Sequence, residues 1–455
     1  MQLATIAEGL ISATPGYRET TARFDDPSTV EAYLTFERAL ARVQGALGII
    51  PADAAATVVE VCRLENVDLD GLRAGTARVG YVIVPLVAML AEKAGPHGEW
   101  LHYGTTTQDV MDTGLALQLR DAAPGLLGTL GEVCQLLASL AEAHRRTPMA
   151  GRSKLQHAAP ISFGYRCAVW LDQIHRRAER LADALEGAAT LQYGGAVGTL
   201  AALGADGIAV REGLARELGL AEPEITWHVS RDRFADATHA FAAATAALAK
   251  MAGDITFLMA TEVAELREPY SNGRGSSSTM PQKRNPVISE AIIEAARRTR
   301  LLPAALLEAM TQDQDRGIAT AYLERGAIVD AARLTAGAAS LAVELVGGLE
   351  VDVARMRANL GATGGLIHAE AAMMALSAEH GRVAAHTLLH ALCHEASVQH
   401  RDLAEVAAAK GYALAPEIFD PGAGLGSQDA MIDAVLARTR PPANGSAATG
   451  AVTRP

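Results

Sequence analysis

Aromatic residues are scarce in this 455-residue chain, where phenylalanine, tyrosine and tryptophan together make up 4% of the residues. Cysteine is also rare. The four cysteines lie far apart and form no C-x-x-C pair: they are Cys62, Cys134, Cys167 and Cys393. This spacing indicates neither a zinc motif nor a disulfide framework. Small and aliphatic residues are abundant instead, and they favour helices that pack closely together.

Positive charge is not in excess. The formal net charge is −12, and lysine and arginine are dispersed along the chain, so we expect no nucleic-acid partner and no binding to a membrane surface. The N-terminus lacks the basic and apolar regions of a signal peptide, and no later segment is both uncharged and strongly apolar over the roughly 18 residues of a membrane span. These absences predict a soluble, cytoplasmic protein with reduced thiols.

Sequence patterns that hold cofactors are missing too. No phosphate-binding loop and no His/Cys/carboxylate cluster of diagnostic spacing occurs in the sequence. We therefore predict no cofactor and no metal.

Helical periodicity dominates the middle of the chain. Apolar residues recur at alternating steps of three and four at Phe241, Ala244, Leu248, Met251, Ile255 and Leu258. This spacing predicts one buried helix face. Similar patterns run through about residues 113–146, 162–190 and 287–312. No run alternates apolar and polar residues with strand-like content for long, so the predicted fold class is all-α.

The chain is too long for one ordinary core, and we predict three helical domains. Residues 1–100 form an N-terminal domain, residues 101–345 a central bundle of long helices, and residues 346–435 a C-terminal domain. The tail, residues 436–455, is rich in proline, glycine and small polar residues from Pro441 onward. This composition predicts disorder.

The segment GSSSTMPQKRNP, from Gly275 to Pro286, has the composition of a catalytic loop. It combines adjacent hydroxyls with a cation and an amide on a short glycine-flanked stretch. A serine oxygen becomes a base only when its charged form is matched by nearby donors, and Lys283, Asn285 and backbone N–H groups can supply that match. The segment therefore predicts chemistry that forms a carbanion.

This segment resembles the signature loop of the fumarase/aspartase superfamily, and we refer to residues 271–286 as the signature loop. Two further stretches resemble the other signature regions of that family: HYGTTTQDVMDTG, from His102, and GRSKLQHAAPISFG, from Gly151. The similarity spans about residues 15–435. The branch that the chain most resembles is the 3-carboxy-cis,cis-muconate cycloisomerases, followed by the adenylosuccinate lyases. The resemblance implies a helical homotetramer whose active sites combine residues of several subunits.

The resemblance also implies roles for individual residues. Ser277 matches the base, Lys283 and Asn285 hold the dianionic aci-carboxylate, and Ser278 lies beside them. His102 matches a histidine of the adenylosuccinate lyase site. Residues that match substrate contacts are Thr106, Thr107, Gln156 and His157.

Lys154 occupies the position of a histidine in fumarase and adenylosuccinate lyase. The general acid of those enzymes is therefore missing here. Lys154 can bind a carboxylate, donate a proton if burial lowers its pKa, or stay idle on the surface.

Three arginines are candidates for bidentate grips on substrate carboxylates: Arg231, Arg316 and Arg325. Each can equally be a structural residue. An arginine at position 325 matches adenylosuccinate lyase, whereas Ala321 replaces a serine that holds the nucleotide phosphate there.

Proton abstraction next to a carboxylate, on a di- or tricarboxylate substrate, is the predicted chemistry. The leading hypothesis is a 3-carboxy-cis,cis-muconate cycloisomerase or a close relative in aromatic-acid catabolism. The alternatives are a lyase that releases fumarate from a succinylated amine or a substituted succinate, and an epimerase that reprotonates the carbanion on its other face. A non-catalytic structural protein is a fourth hypothesis, which the intact Ser277, Lys283 and Asn285 disfavour.

Overall fold

The computed structural model describes residues 8–271, 273–318 and 320–439. Helices account for most of these residues, which confirms the predicted all-α class. In chain order they are α1 (Gly9–Ser12), α2 (Pro15–Arg23), α3 (Asp26–Ala46), α4 (Ala52–Val61), α5 (Leu69–Val79), α6 (Ile83–Ala94), α7 (Thr107–Ala143), α8 (Phe163–Ala188), α9 (Gly207–Leu218), α10 (Asp232–Leu258), α11 (Val287–Thr299), α12 (Leu302–Ala309), α13 (Ala321–Gly347), α14 (Val353–Leu360), α15 (Ala369–His380), α16 (Arg382–Gln399), α17 (Leu403–Ala409) and α18 (Gln428–Thr439).

Two small antiparallel sheets interrupt the helices. Strands β1 (Pro148–Ser153) and β2 (Gln156–Ser162) form a hairpin, and β3 (Leu266–Arg267) pairs with β4 (Glu350–Val351). The hairpin falls in the second motif of the sequence and was not predicted as a pair of strands.

The predicted buried face of α10 is confirmed. Its six apolar positions are all at most 3% exposed: Phe241, Ala244, Leu248, Met251, Ile255 and Leu258. Proline sets several of the boundaries. Helix α11 begins directly after Pro286, and Pro303 lies in the first turn of α12, where its missing N–H has no helical partner to lose.

The chain divides into two compact units. One contains the described residues up to Gly131 together with Arg176–Ala252 and Val287–Glu344, and the other contains Glu132–His175, Gly253–Pro286 and the described residues from Leu345 onward. Helices α7, α8, α10 and α13 each contribute residues to both units. This division differs from the three predicted regions, because a helix of 37 residues is about 55 Å long and need not stay within one compact unit.

Each unit has its own hydrophobic core. In the first unit, α3 supplies a row of buried residues, with Tyr33, Leu34, Phe36 and Leu40 all at most 2% exposed. In the second unit, a smaller cluster is formed by buried residues of α15, α16 and α17.

Three helices are long and apolar enough to cross a membrane by length and composition alone: α7, α10 and α13. In α13 and α10, 67% and 56% of the most apolar stretch is buried inside the protein, but in α7 only 33%. The first two therefore have protein neighbours that account for much of their apolar surface.

The predicted disordered tail, residues 436–455, is only partly within the described residues. Helix α18 continues to Thr439, so residues 436–439 are helical and the prediction was wrong for them. Residues 440–455 lie outside the described part of the chain.

Candidate active site

The signature loop turns back on itself and is closed at its base. Asn285 N donates to Gly275 O at 2.9 Å, and Ser276 forms an isolated antiparallel bridge with Arg284. Gly275 has a φ of +71°, and a Cβ atom there would lie 2.6 Å from Asn285 O. The loop therefore needs glycine at this position. Residue 272 of the loop lies outside the described residues.

Ser277 is distinguished from its neighbours by its hydrogen bonds. Its Oγ accepts the backbone N–H groups of Thr279 at 3.3 Å and Met280 at 3.1 Å. The hydroxyl of Ser276 instead donates to Gly273 O at 2.7 Å. Backbone donors that point at Ser277 Oγ favour a negative charge on that atom, whereas a carbonyl acceptor opposes one on Ser276.

The other predicted loop residues face solvent to different degrees. Ser278 and Lys283 are exposed, and Asn285 is half-buried. A solvated ammonium interacts weakly with a substrate charge, because water screens it. Lys283 can therefore act strongly only when a closed loop or another subunit excludes water from it.

Arg284 holds the base of the loop and was not predicted as a functional residue. Its Nη2 donates to Glu268 O and, at 2.8 Å, to Glu350 Oε1 on β4, while its Cζ lies 5.2 Å from the centre of the Tyr270 ring. The R of the KRN string thus ties the loop to the β3–β4 sheet rather than facing a substrate.

The β1–β2 hairpin carries Lys154, Gln156 and His157. Lys154 and Leu155 form its two-residue turn, and both adopt the left-handed conformation, with φ values of 50° and 65°. Both turn residues and Gln156 are exposed. Burial lowers the pKa of His157, the charge of Arg152 lowers it further, and that of Glu265 partly opposes them. This favours a neutral imidazole.

One buried ion pair orients this hairpin. The guanidinium of Arg152 donates to both Glu265 oxygens, at 2.6 and 3.1 Å, and Glu265 is fully buried. Asn359 Nδ2 donates to the same carboxylate at 2.7 Å. The hairpin strand next to the predicted substrate residues is thus fixed by a bidentate contact.

Asp109 organises the N-terminus of α7, where Thr106 and Thr107 lie. Its carboxylate accepts Thr106 N at 3.1 Å, which is the contact of a capping box. It also accepts the N–H groups of Gly194 and Gly195, at 3.0 and 2.9 Å. Asp109 is fully buried, so these donors compensate a charge that would be costly if left alone.

The ring of His228 completes this arrangement, since its Nε2 lies 2.7 Å from Asp109 Oδ1. The sequence analysis assigned no role to either residue. Asp109 therefore links the threonine cluster, the 194–195 loop and the segment that contains His228.

Arg316 and Thr106 are brought together by the structure. Arg316 Nη1 lies 3.2 Å from Thr106 Oγ1, and its Nη2 donates to Ala196 O at 2.8 Å. Arg316 is exposed and Thr106 half-buried. A guanidinium, hydroxyls and a helix N-terminus at one place form an anion-binding arrangement.

His102 is paired with a residue that the sequence analysis missed. Its Nδ1 lies 2.6 Å from Oε1 of Glu37, which is 2% exposed. Burial acts to lower the pKa of His102, but the charge and hydrogen bond of Glu37 and the charge of Asp109 outweigh it, so the pKa is raised. The sequence does contain a signal for the importance of Glu37. This charged residue lies one helical turn from Tyr33 and from Ala41, both of which are buried and apolar.

Arg231 corrects the sequence-based prediction. All five of its N–H donors are taken within the protein, by Asp112, Glu324 and His228 O. Its side chain is 3% exposed. The guanidinium has neither a free donor nor access to solvent, so it serves as a structural ion-pair centre and not as the predicted carboxylate grip.

Arg325 lies beside a cavity of about 440 Å³ that is mostly apolar. Its Nη2 contacts Thr29 Oγ1 at 2.8 Å and Gln118 Oε1 at 3.0 Å, whereas its buried Nη1 has no hydrogen-bond partner among the described residues. Tyr33 and Tyr322 also line the cavity. The volume and the apolar lining suit a ligand group with an apolar body.

Comparisons with known proteins agree with the motifs. A family described as lyase matches residues 37–301. The chain is 40% identical over 426 residues to the 3-carboxy-cis,cis-muconate cycloisomerase of Bradyrhizobium diazoefficiens, which covers 91% of this chain and 94% of that protein. It is 37% identical over 449 residues to the nitrosuccinate lyase of Streptomyces davaonensis, with 94% of each covered. The solved structure of the 3-carboxy-cis,cis-muconate lactonizing enzyme from Pseudomonas putida matches with a TM-score of 0.86 at 36% identity, over 93% of this chain and 97% of that one.

Proposed function

The chain belongs to the fumarase/aspartase superfamily of enzymes, and from this premise we propose that it is a 3-carboxy-cis,cis-muconate cycloisomerase or a close relative in aromatic-acid catabolism. The similarity to the Bradyrhizobium cycloisomerase, at 40% identity, extends over nine-tenths of the chain. The substrate is then a tricarboxylate, and no cofactor takes part.

The reaction is an isomerisation of the acid, in which the carboxylate that closes the ring loses its negative charge and one proton is taken up from solvent through the enzyme. A carboxylate oxygen of the substrate adds to a neighbouring alkene carbon and closes a lactone, while the adjacent carbon passes through the aci-carboxylate form and takes up one proton. Ser277 exchanges that proton, as acid in one direction and base in the other. Lys283, Asn285 and backbone N–H groups stabilise the dianion, which is the kind of electrostatic term that contributes most to catalysis.

One observation carries the assignment of Ser277. Two backbone N–H groups point at its Oγ, which lowers the cost of an oxyanion there, while the Ser276 hydroxyl is used as a donor to Gly273 O. The family resemblance and the hydrogen bonds therefore select the same serine.

A lyase that acts on a substituted succinate is the second candidate. The cavity beside Arg325 favours it, because a leaving group with an apolar body needs such space. The similarity to a nitrosuccinate lyase supports the same alternative. An epimerase, which needs no leaving group, is the third.

We also propose a homotetramer in the cytoplasm, with active sites shared between subunits. Only a third of the most apolar stretch of α7 is buried within one chain, and Leu301 and Leu307 near α12 are 74% and 62% exposed. Apolar helix surface of this kind is normally covered by other helices.

The test is to incubate the purified enzyme with 3-carboxy-cis,cis-muconate, with substituted succinates and with succinyl amines, and to follow ultraviolet absorbance and proton NMR in heavy water. We expect loss of the absorbance of the conjugated diene carboxylate and a lactone that contains one deuterium. Fumarate formed from a succinate instead would identify the lyase. Deuterium exchange into an unchanged substrate skeleton would identify the epimerase.

A further inference from the structure

We propose that Glu37 is a positioning residue for this reaction: its buried carboxylate fixes the ring of His102 and keeps it as a cation that presents Nε2–H to the substrate. The inference rests on the proposed function for the substrate that His102 faces, but the pairing itself can be tested without any substrate.

Geometry fixes the partner atom. Glu37 Oε1 lies 2.6 Å from His102 Nδ1, so the proton on Nδ1 belongs to this hydrogen bond and only Nε2 remains to face a ligand. The side chain of His102 is 19% exposed, whereas that of Glu37 is 2% exposed. The histidine can therefore be reached from outside, and the carboxylate behind it cannot.

The backbone of the same segment is held from the same helix. Gln44, seven residues after Glu37 on α3, donates its Nε2 to Tyr103 O at 2.8 Å. His102 itself has a φ of 59°, a left-handed conformation that a non-glycine residue adopts only when its surroundings impose it. Helix α3 thus fixes both the side chain of His102 and the adjoining main chain.

The burial of the Glu37 carboxylate costs folding stability, which indicates a functional role for this residue. Its Oε2 is buried and has no hydrogen-bond partner among the described residues. A buried carboxylate with one oxygen unpaired destabilises a fold, and an apolar or amide side chain would serve packing better. Negative charge from Glu37 on α3 and from Asp109 on α7 raises the pKa of His102 although burial acts to lower it.

The variants Glu37→Gln and Glu37→Asp test the proposal, with Glu31→Gln as the matched control. Glu31 lies on the same helix, but its side chain is 43% exposed and pairs at 2.6 Å with Arg38, to which the proposed mechanism gives no role. Hydrogen–deuterium exchange at the imidazole C2 position, read by mass spectrometry across pH, gives the pKa of His102 in the whole protein without substrate. Folding and assembly are checked by circular dichroism and size-exclusion chromatography.

We expect Glu37→Gln to lower the pKa of His102, to shift the alkaline limb of the kcat profile to lower pH, and to reduce kcat at least about tenfold with little change in KM. This loss is a part of the 10²–10³-fold that one preorganised donor to developing negative charge contributes. Glu37→Asp keeps the negative charge, so its alkaline limb should lie closer to that of the wild type. Glu31→Gln should match the wild type in the pKa of His102, in kcat and in KM.

An unchanged pKa of His102 in folded Glu37→Gln would overturn the proposal, and so would a loss of kcat with an unmoved alkaline limb. If the pKa moves but no substrate of the panel is converted, the pairing stands and the proposed function fails.

Discussion

The network around Asp109 and Arg231 and the signature loop contain the same kinds of side chain in opposite states. In the network, carboxylates and a guanidinium are buried and paired, and Arg231 is 3% exposed with every donor used. In the loop, Lys283 is exposed, and Ser277 Oγ accepts two backbone N–H groups and lies 3.5 Å from Thr279 Oγ1.

This difference shows that the type of a residue within these motifs does not by itself reveal whether the residue is structural or functional. Arg231 and Lys283 are both cations next to a family motif, yet the donors of Arg231 are all paired within the protein, whereas Lys283 is exposed. The network should therefore carry stability, and the loop should carry turnover. Four substitutions test this division.

The largest expected effect is that of Ser277→Ala in the loop. Turnover should fall by about 10³–10⁴-fold, because a positioned acid or base contributes up to that factor. The thermal midpoint and the oligomeric state should stay as in the wild type, as differential scanning fluorimetry and light scattering can show. Near-normal activity would refute the assignment of the base.

In the network, Arg231→Met should destabilise the protein by about 3–5 kcal/mol, because the carboxylates of Asp112 and Glu324 are then buried without their partner. Chemical denaturation measures the change. Arg42→Met is the control, since its pair with Glu217 is exposed on both sides and should contribute at most about 1 kcal/mol. Equal stability of the two variants would contradict the structural role of Arg231.

A smaller effect is expected for Lys283→Met, which removes one stabilising charge from the dianion. We predict that kcat falls by about 10²–10³-fold, as for the loss of one oxyanion donor. Stability should not change, because the side chain is exposed. A drop in the denaturation midpoint without a loss of kcat would place Lys283 with the network rather than with the loop.

Arg284→Gln should have the smallest effect. Its ion pair with Glu350 is partly exposed, so it is worth at most about 1 kcal/mol, and the loop base retains the Asn285–Gly275 hydrogen bond. Steady-state kinetics should show less than about a tenfold loss, with KM changed more than kcat. A loss as large as that of Lys283→Met would mean that Arg284 meets the substrate.

Some of these features could be predicted from the sequence and others could not. The buried face of α10 follows from spacing alone, since six apolar positions in steps of three and four leave one helical solution. The β1–β2 hairpin gives no such signal, because its turn is Lys-Leu rather than a glycine pair and Pro160 lies within a strand. The pairing of Glu37 with His102 joins residues 65 positions apart, which no local pattern specifies. Arg231 was misassigned because a sequence shows a charge but not what neutralises it.

The Lys154–Leu155 turn keeps two particular side chains at a cost in conformational stability. Two consecutive left-handed residues that are not glycine cost on the order of 1 kcal/mol or more each, and Asn-Gly would form the same turn without that strain. Leu155 is 75% exposed and gains nothing from burial in its own chain. Replacing Lys154–Leu155 by Asn-Gly should raise the thermal stability of the enzyme. Any loss of activity in that variant would measure how much the two native side chains contribute to turnover.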